Sequence, residues 1–85
     1  MNLEGLVTKY IWNTERVLTQ MRVIENPVTI QQEKTREIIE TAKRYLEDAK
    51  YYREKERLET SLAAVAYCEG LLDALRFLGM VEFSW

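Results

Sequence analysis

Histidine is absent from this 85-residue sequence, and turn-forming residues and thiols are scarce, with one Cys, one Pro and three Gly. Without histidine, the commonest general base, the Ser-His and Cys-His nucleophile pairs and the usual zinc-enzyme ligand sets are excluded. Any metal site would have to be built from carboxylates. The shortage of Gly and Pro argues against an all-β chain with many hairpins. We therefore expect neither a cofactor nor a catalytic residue set, and predict that the protein is not an enzyme.

The single cysteine, Cys68, lies in an apolar run and cannot form an internal disulfide, which favours a reducing compartment. The first residues show no positively charged segment followed by an apolar one, so no signal peptide is predicted. The longest apolar stretch, 61–81, contains Glu69, Asp73 and Arg76 and is too charged for a membrane span. We therefore predict a cytoplasmic protein that does not enter a membrane.

The charge balance makes nucleic acid an unlikely partner. The net charge is -2, both signs are interleaved along the chain, and there is no basic tract to bind a phosphate backbone. Apolar residues make up 47% of the sequence, which is typical of a folded domain. The length corresponds to one domain spanning residues 1–85.

Three stretches have the apolar spacing of amphipathic helices, predicted at about 3–25, 29–55 and 58–78. Asn2 is a suitable N-cap for the first, and Pro27 ends it near Glu25. The second helix has two alternative N-caps, Asn26 and Thr29. We predict an all-α fold, a three-helix bundle in which an antiparallel hairpin of helices two and three packs with the N-terminal helix.

Helix three has apolar residues on more than one side. Beside the row that contains Leu62 and Val65, a second row of apolar residues recurs at steps of four and three: Ala64, Cys68, Leu71, Leu75 and Leu78. Either the chain itself covers this row, or a second subunit or another protein does. These five residues are therefore interface candidates, together with Trp12, which lies off the core row of helix one.

A stripe of small residues also runs along helix three and consists of Ala63, Ala66, Gly70 and Ala74. A glycine in mid-helix costs about 1 kcal/mol relative to alanine, which is acceptable where another backbone comes close. Ala42 and Ala49, seven residues apart on helix two, are the natural facing positions. We predict that the stripe packs helix three against helix two.

Two carboxylates on helix three, Glu69 and Asp73, lie one turn apart and close to apolar residues, where an isolated charge is costly. Asp48 on helix two would lie nearby in an antiparallel hairpin. One hypothesis is an ion-pair or hydrogen-bond network that includes Arg76 or a tyrosine hydroxyl. The alternative is a small-ligand or divalent-metal site formed by Asp48, Glu69 and Asp73.

The C-terminal half also carries a family resemblance. The residues concerned are Tyr45-Leu46-Glu47-Asp48-Ala49, then Ser61-Leu62-Ala63 through Tyr67, Gly70, Leu72-Asp73-Ala74 and the closing Leu78-Gly79. This pattern resembles an archaeal family catalogued as domain of unknown function 357. The resemblance implies a compact helical domain without an assigned activity, and it makes Tyr45, Asp48, Tyr67, Glu69, Gly70 and Asp73 the positions to test. The family usually has Gly-Asp in its turn, where this chain has Glu56-Arg57.

From these features the most plausible function is a non-catalytic protein-interaction or self-assembly module, a homo-oligomer or a subunit bound to another protein. The alternative function is binding of a small ligand or divalent metal through the three carboxylates, with Tyr45 and Tyr67 beside them.

Overall fold

The computed structural model describes residues 2–24 and 29–85, and within helix α2 it describes side chains from Gln32 onward. The described elements are, in order, α1 (Leu3–Gln20), β1 (Arg22–Val23), α2 (Thr29–Glu54), α3 (Leu58–Phe77) and β2 (Val81–Glu82). The prediction of an all-α, three-helix fold is confirmed. The two alternative N-caps of α2 fall outside the residues and side chains described.

Helix α1 begins where its sequence provides a cap. The Asn2 side-chain oxygen accepts a hydrogen bond of 2.7 Å from the Gly5 amide and so satisfies one free donor of the first turn. The helix ends at Gln20 rather than near Glu25, because Met21 adopts an extended conformation (ψ 136°). The next two residues pair as a strand with β2, so their backbone groups bond there instead of continuing the helix.

The turn between α2 and α3 reverses the chain at Lys55-Glu56-Arg57. The Glu56 amide donates to Arg53 (3.0 Å) and the Arg57 amide donates to Tyr52 (2.9 Å), the bonding pattern of a Schellman motif. Glu56 has a φ of 59°, in the left-handed region that favours glycine. A side chain in this conformation costs roughly 1–2 kcal/mol. Glu56-Arg57, in place of the Gly-Asp of the resembled family, therefore raises the energy of the turn, but the turn still forms.

Helices α2 and α3 run antiparallel and form the largest helix–helix interface. Three contacts give the direction. The Ser61 hydroxyl donates to the Ala49 carbonyl (2.6 Å), Tyr67 contacts Tyr45, and Leu75 packs in one cluster with Ile39. Helix α1 packs across this hairpin, with more contacts to α3 than to α2.

The hydrophobic core is built from all three helices. Its fully or almost fully buried residues are Val7, Ile11 and Val17 of α1, Ala42, Leu46 and Ala49 of α2, and Val65, Cys68 and Leu72 of α3. A smaller adjoining cluster contains Ile39, Leu75 and Val81. In the described part of the core, α2 contributes two small side chains, Ala42 and Ala49, beside the larger Ile39 and Leu46.

The C-terminal segment packs back on the bundle, as its apolar sequence predicts. Gly79 has a φ of 75° and ends α3 with a left-handed residue, and the Met80 amide donates to Leu75. Val81 is then buried, and β2 pairs antiparallel with β1. An ion pair of 2.6 Å joins Arg22 to Glu82 across this ribbon. Among the helices within the described ranges, none has the length and hydropathy needed to cross a lipid bilayer.

Candidate functional site

Asp73 belongs to a hydrogen-bonded network that ties the C-terminal segment to α3. One carboxylate oxygen accepts from Arg76 (3.2 Å) and from the indole nitrogen of Trp85 (2.7 Å). The Arg16 guanidinium donates to the backbone carbonyl of Trp85, which fixes the same residue from α1. The predicted pairing of this carboxylate with Arg76 is confirmed.

Glu69 lies one turn before Asp73, half-buried where α3 meets α1. Burial raises the pKa of its carboxyl, and the charge of Asp73 raises this pKa further, while a hydrogen bond with Thr14 lowers it. Thr14 is itself fully buried, and its hydroxyl donates to the Tyr10 carbonyl (2.7 Å). The surroundings of Glu69 therefore disfavour its charged form rather than provide a cation site.

Asp48 is exposed on the solvent side of α2. Within the described ranges, no group of three His, Cys, Asp or Glu side chains is arranged to hold a metal ion. The structure thus corrects the hypothesis of a metal site formed by Asp48, Glu69 and Asp73. An antiparallel hairpin alone does not bring the three together, because Asp48 lies on the α2 surface that faces away from the core.

Tyr45 and Tyr67 are brought together by the hairpin. Their ring centroids are 4.4 Å apart with the planes tilted by 32°. Tyr45 is half-buried, whereas Tyr67 remains 54% exposed. The pair contributes to the packing of α2 on α3 and leaves one aromatic surface accessible to solvent.

Trp12 is 66% exposed, as expected for a residue off the core row. It stands at one side of a shallow groove between α1 and α2, whose floor includes Leu18 and Leu46. The rest of the groove is lined by Thr19 and by four charged residues, Glu15, Arg16, Lys43 and Glu47. Lys50 bonds Glu15 across the two helices and Glu47 within α2 (3.3 Å), and its hydrogen bond to Glu15 raises the pKa of its ammonium group.

The candidate interface row on α3 is largely part of the chain's own core. Cys68 and Leu75 are 0% and 1% exposed, so they cannot contact a partner, and their candidacy is corrected. Ala64 and Leu71 are half-buried and pack against the core, and only Leu78, at 69%, is freely exposed. Burial raises the pKa of the Cys68 thiol to about 12, which makes it an unreactive core residue.

The stripe of small residues, unlike most of the candidate interface row, is exposed to solvent. Ala63, Ala66, Gly70 and Ala74 are all exposed instead of packing against α2. A Cβ built on Gly70 would meet no atom within 4 Å. The residues that meet Ala42 and Ala49 of α2 come from another side of α3, among them Ser61, which donates to the Ala49 carbonyl. The prediction that the small residues join the two helices is therefore wrong.

These small residues and two large aromatic ones share one surface, the outer face of α3. It consists of Ala63, Ala66, Tyr67, Gly70, Ala74 and Phe77. In α3, which is described throughout, every exposed position from 63 to 77 is uncharged; the only exposed charge of the helix is Glu59 near its start. Phe77 is 77% exposed, and Leu78 follows directly. The spacing 63, 70, 77 could have drawn attention to this face.

The comparisons with known proteins add one finding. The model of a family described as a protein of unknown function (DUF357) matches residues 9–81. No curated protein and no solved structure matches the chain. The matched range includes α1 from Lys9, the whole α2–α3 hairpin and the start of β2, which is well over half of the sequence.

Proposed function

We propose that this chain, which belongs to the DUF357 family of unknown function, is a non-catalytic protein-interaction module that binds through the outer face of α3. The observation that carries the proposal is the chemistry of that face. In a sequence with 31% charged residues, the exposed positions of this face are uncharged over about four turns, and the charges at its edge, Asp73 and Arg76, are paired with each other. Single exposed apolar residues need no explanation, but a continuous row of them is typical of an interaction site.

The energetics of the outer face support the same proposal. Gly70 costs α3 about 1 kcal/mol relative to alanine. No close neighbour in the described part of the chain explains why this position has no Cβ. A Cβ built on Gly70 would meet no atom within 4 Å. A flat surface of Gly and Ala lets a second helix come close, and the neighbouring aromatic residues supply the area that such contacts need.

The proposed partner is a protein rather than a nucleic acid. Arg76, the only cation of α3, lies beside the outer face and is paired with Asp73, and the basic residues of α2 alternate with acidic ones. We also propose a cytoplasmic location, in keeping with a single cysteine that is buried and has no second cysteine to pair with in the chain. Fractionation of the native cells would check this location.

Site-specific photo-cross-linking tests the interaction surface directly. Photoreactive benzoylphenylalanine in place of Ala66 should give covalent protein adducts in the cells that make the protein. The matched control replaces Lys43, which is equally exposed but lies on the charged side of α2. Adducts from position 66 and none from position 43 are expected. Absence of adducts at 66, or equal yields at both positions, would refute the proposal.

A further inference from the structure

We propose that the partner of this face is a second copy of the same chain, bound through antiparallel packing of the two α3 helices about Gly70. The inference rests on the proposed function, because it concerns the same surface. It goes further by naming the occupant and the register.

The outer face is complementary to itself when two copies run in opposite directions. With Gly70 at the two-fold axis, residues displaced equally on either side of it meet. Phe77 then lies opposite Ala63 of the second copy, Ala66 opposite Ala74, and Tyr67 opposite Asp73 at the edge of the face. Phe77, the more exposed of the two aromatic residues, thus meets a small side chain, which lets the interface pack without overlap. A parallel pair would instead place Phe77 against Phe77 and Tyr67 against Tyr67.

The centre of the pair needs a small residue most. At the axis Gly70 faces itself, so the two backbones would be closest there. Ala66 and Ala74 face each other one turn away on each side. Small residues at such positions are what allow helix backbones to approach closely, so a glycine that destabilises the isolated helix has a reason in the pair.

The charges of the chain do not oppose this pairing. The exposed positions of α3 from 63 to 77 carry no charge. At the edge of the face Asp73 and Arg76, with side chains 35% and 36% exposed, form an ion pair with each other, so the pairing leaves neither charge without a partner. The net charge of -2 gives only weak repulsion between copies. By contrast, a self-contact through α2 would have to desolvate a surface that consists mostly of charged side chains.

The available area predicts a weak dimer. Tyr67, Phe77 and Leu78 are 54%, 77% and 69% exposed. Since an aromatic side chain can bury about 150–250 Å², the face offers roughly 500 Å² per copy once the small residues are included. A two-fold pair would then bury about 1,000 Å² in total, near the lower limit for a specific interface.

Sedimentation equilibrium over concentrations from the micromolar to the millimolar range tests the association. The average mass of the wild type should rise from one chain towards two. Gly70→Arg should remain at one chain, because its side chain has room in the monomer but blocks the axis of the pair. The matched control Thr8→Arg, at an exposed position of α1, should associate like the wild type. Both variants should keep the wild-type helical circular dichroism.

Cysteine cross-linking tests the register. Gly70→Cys should form a disulfide-linked dimer under mild oxidation, whereas the wild type should not, because Cys68 is buried. Ala63→Cys mixed with Phe77→Cys should cross-link, while each alone should not, since only an antiparallel pair brings positions 63 and 77 together. Cross-linking of each alone would overturn the antiparallel register.

A wild type that stays monomeric at millimolar concentration, or a Gly70→Arg variant that still dimerises, would overturn the second copy as partner. The photo-cross-linking experiment would then test the proposed function separately. Adducts of another mass from position 66 would retain the interaction module with a different protein, and absence of adducts would remove both.

Discussion

The outer sides of α2 and α3 differ sharply although the two helices belong to one hairpin. On α2, whose side chains are described from Gln32 onward, every exposed residue except Tyr51 is charged. On α3, Glu59 is the only charge among the exposed residues of the helix, all of which are described. Both helices bury one side against the same core. The difference therefore lies entirely in what each presents to solvent.

The α2 surface is what a solvated helix requires. Its ion pairs, Lys34 with Glu37 (3.2 Å), Lys43 with Glu40 (3.5 Å) and Lys50 with Glu47 (3.3 Å), are exposed and individually worth little. The exposed positions of α3 from 63 to 77 carry no such charges, and the proposed interaction rests on this contrast.

The largest expected effect separates the two sides of α3. Leu72→Ala should lower the free energy of unfolding by about 2–5 kcal/mol, because Leu72 is fully buried. Phe77→Ala should change it by less than about 0.5 kcal/mol, because Phe77 is 77% exposed. Urea denaturation at micromolar concentration measures both in the monomer. A large loss in Phe77→Ala would mean that the outer face is part of the core after all.

The next effect concerns what fixes the rotation of α3 on α2. Ser61→Ala removes the buried hydrogen bond to the Ala49 carbonyl and should cost about 0.5–1.5 kcal/mol in the same urea measurement. Thr60→Ala, at the neighbouring exposed position, is the matched control and should cost less. Equal costs would show that this hydrogen bond does not determine which side of α3 faces α2.

Gly70→Ala should stabilise the monomer by about 0.5–1 kcal/mol, because alanine favours the helix and its Cβ meets no atom within 4 Å. The same change should weaken the association measured by sedimentation, since the helix backbones could not come as close. Lys43→Ala on α2 should leave both quantities nearly unchanged. A destabilised Gly70→Ala monomer would show that the outer face is already in contact with part of the chain.

The smallest effect is a pH dependence at the edge of α3. The pKa of Glu69 is raised above its ordinary value of 4.5, so folding takes up protons at pH values above 4.5 and the stability falls as the pH rises through the raised pKa. Glu69→Gln should therefore melt at a higher temperature than the wild type at pH 7. The two should converge below about pH 4.5.

Thermal melts at several pH values measure this difference. Glu54→Gln, at an exposed position of α2, is the matched control and should follow the wild type at every pH. A Glu69→Gln variant less stable than the wild type at pH 7 would show that the carboxylate is held by a favourable partner, and that this part of α3 resembles the charged side of α2.

Local features of the fold could be predicted from particular residues. Asn2 caps α1, and Gly79 ends α3 in the left-handed conformation, because these residue types have the side chain or the backbone freedom that those positions require. The end of α1 at Gln20 could not be predicted, since β1 pairs with residues some sixty positions away. The pairing of Asp73 with Arg76 could be predicted from their spacing on one helix. The hydrogen bond from Trp85 to Asp73 could not, because it depends on the path of the C-terminal segment.

The sequence by itself determined that the chain forms three helices, that α2 has one apolar and one charged side, and that His-dependent chemistry is excluded. Only the tertiary structure decided which of the two uncharged rows of α3 is buried. Apolar and small residues recur at the same helical period in both rows, so periodicity cannot choose between them. The choice follows from the rotation of α3 against Ala42 and Ala49, which buries Cys68 and Leu75 and leaves Ala66, Gly70 and Phe77 exposed.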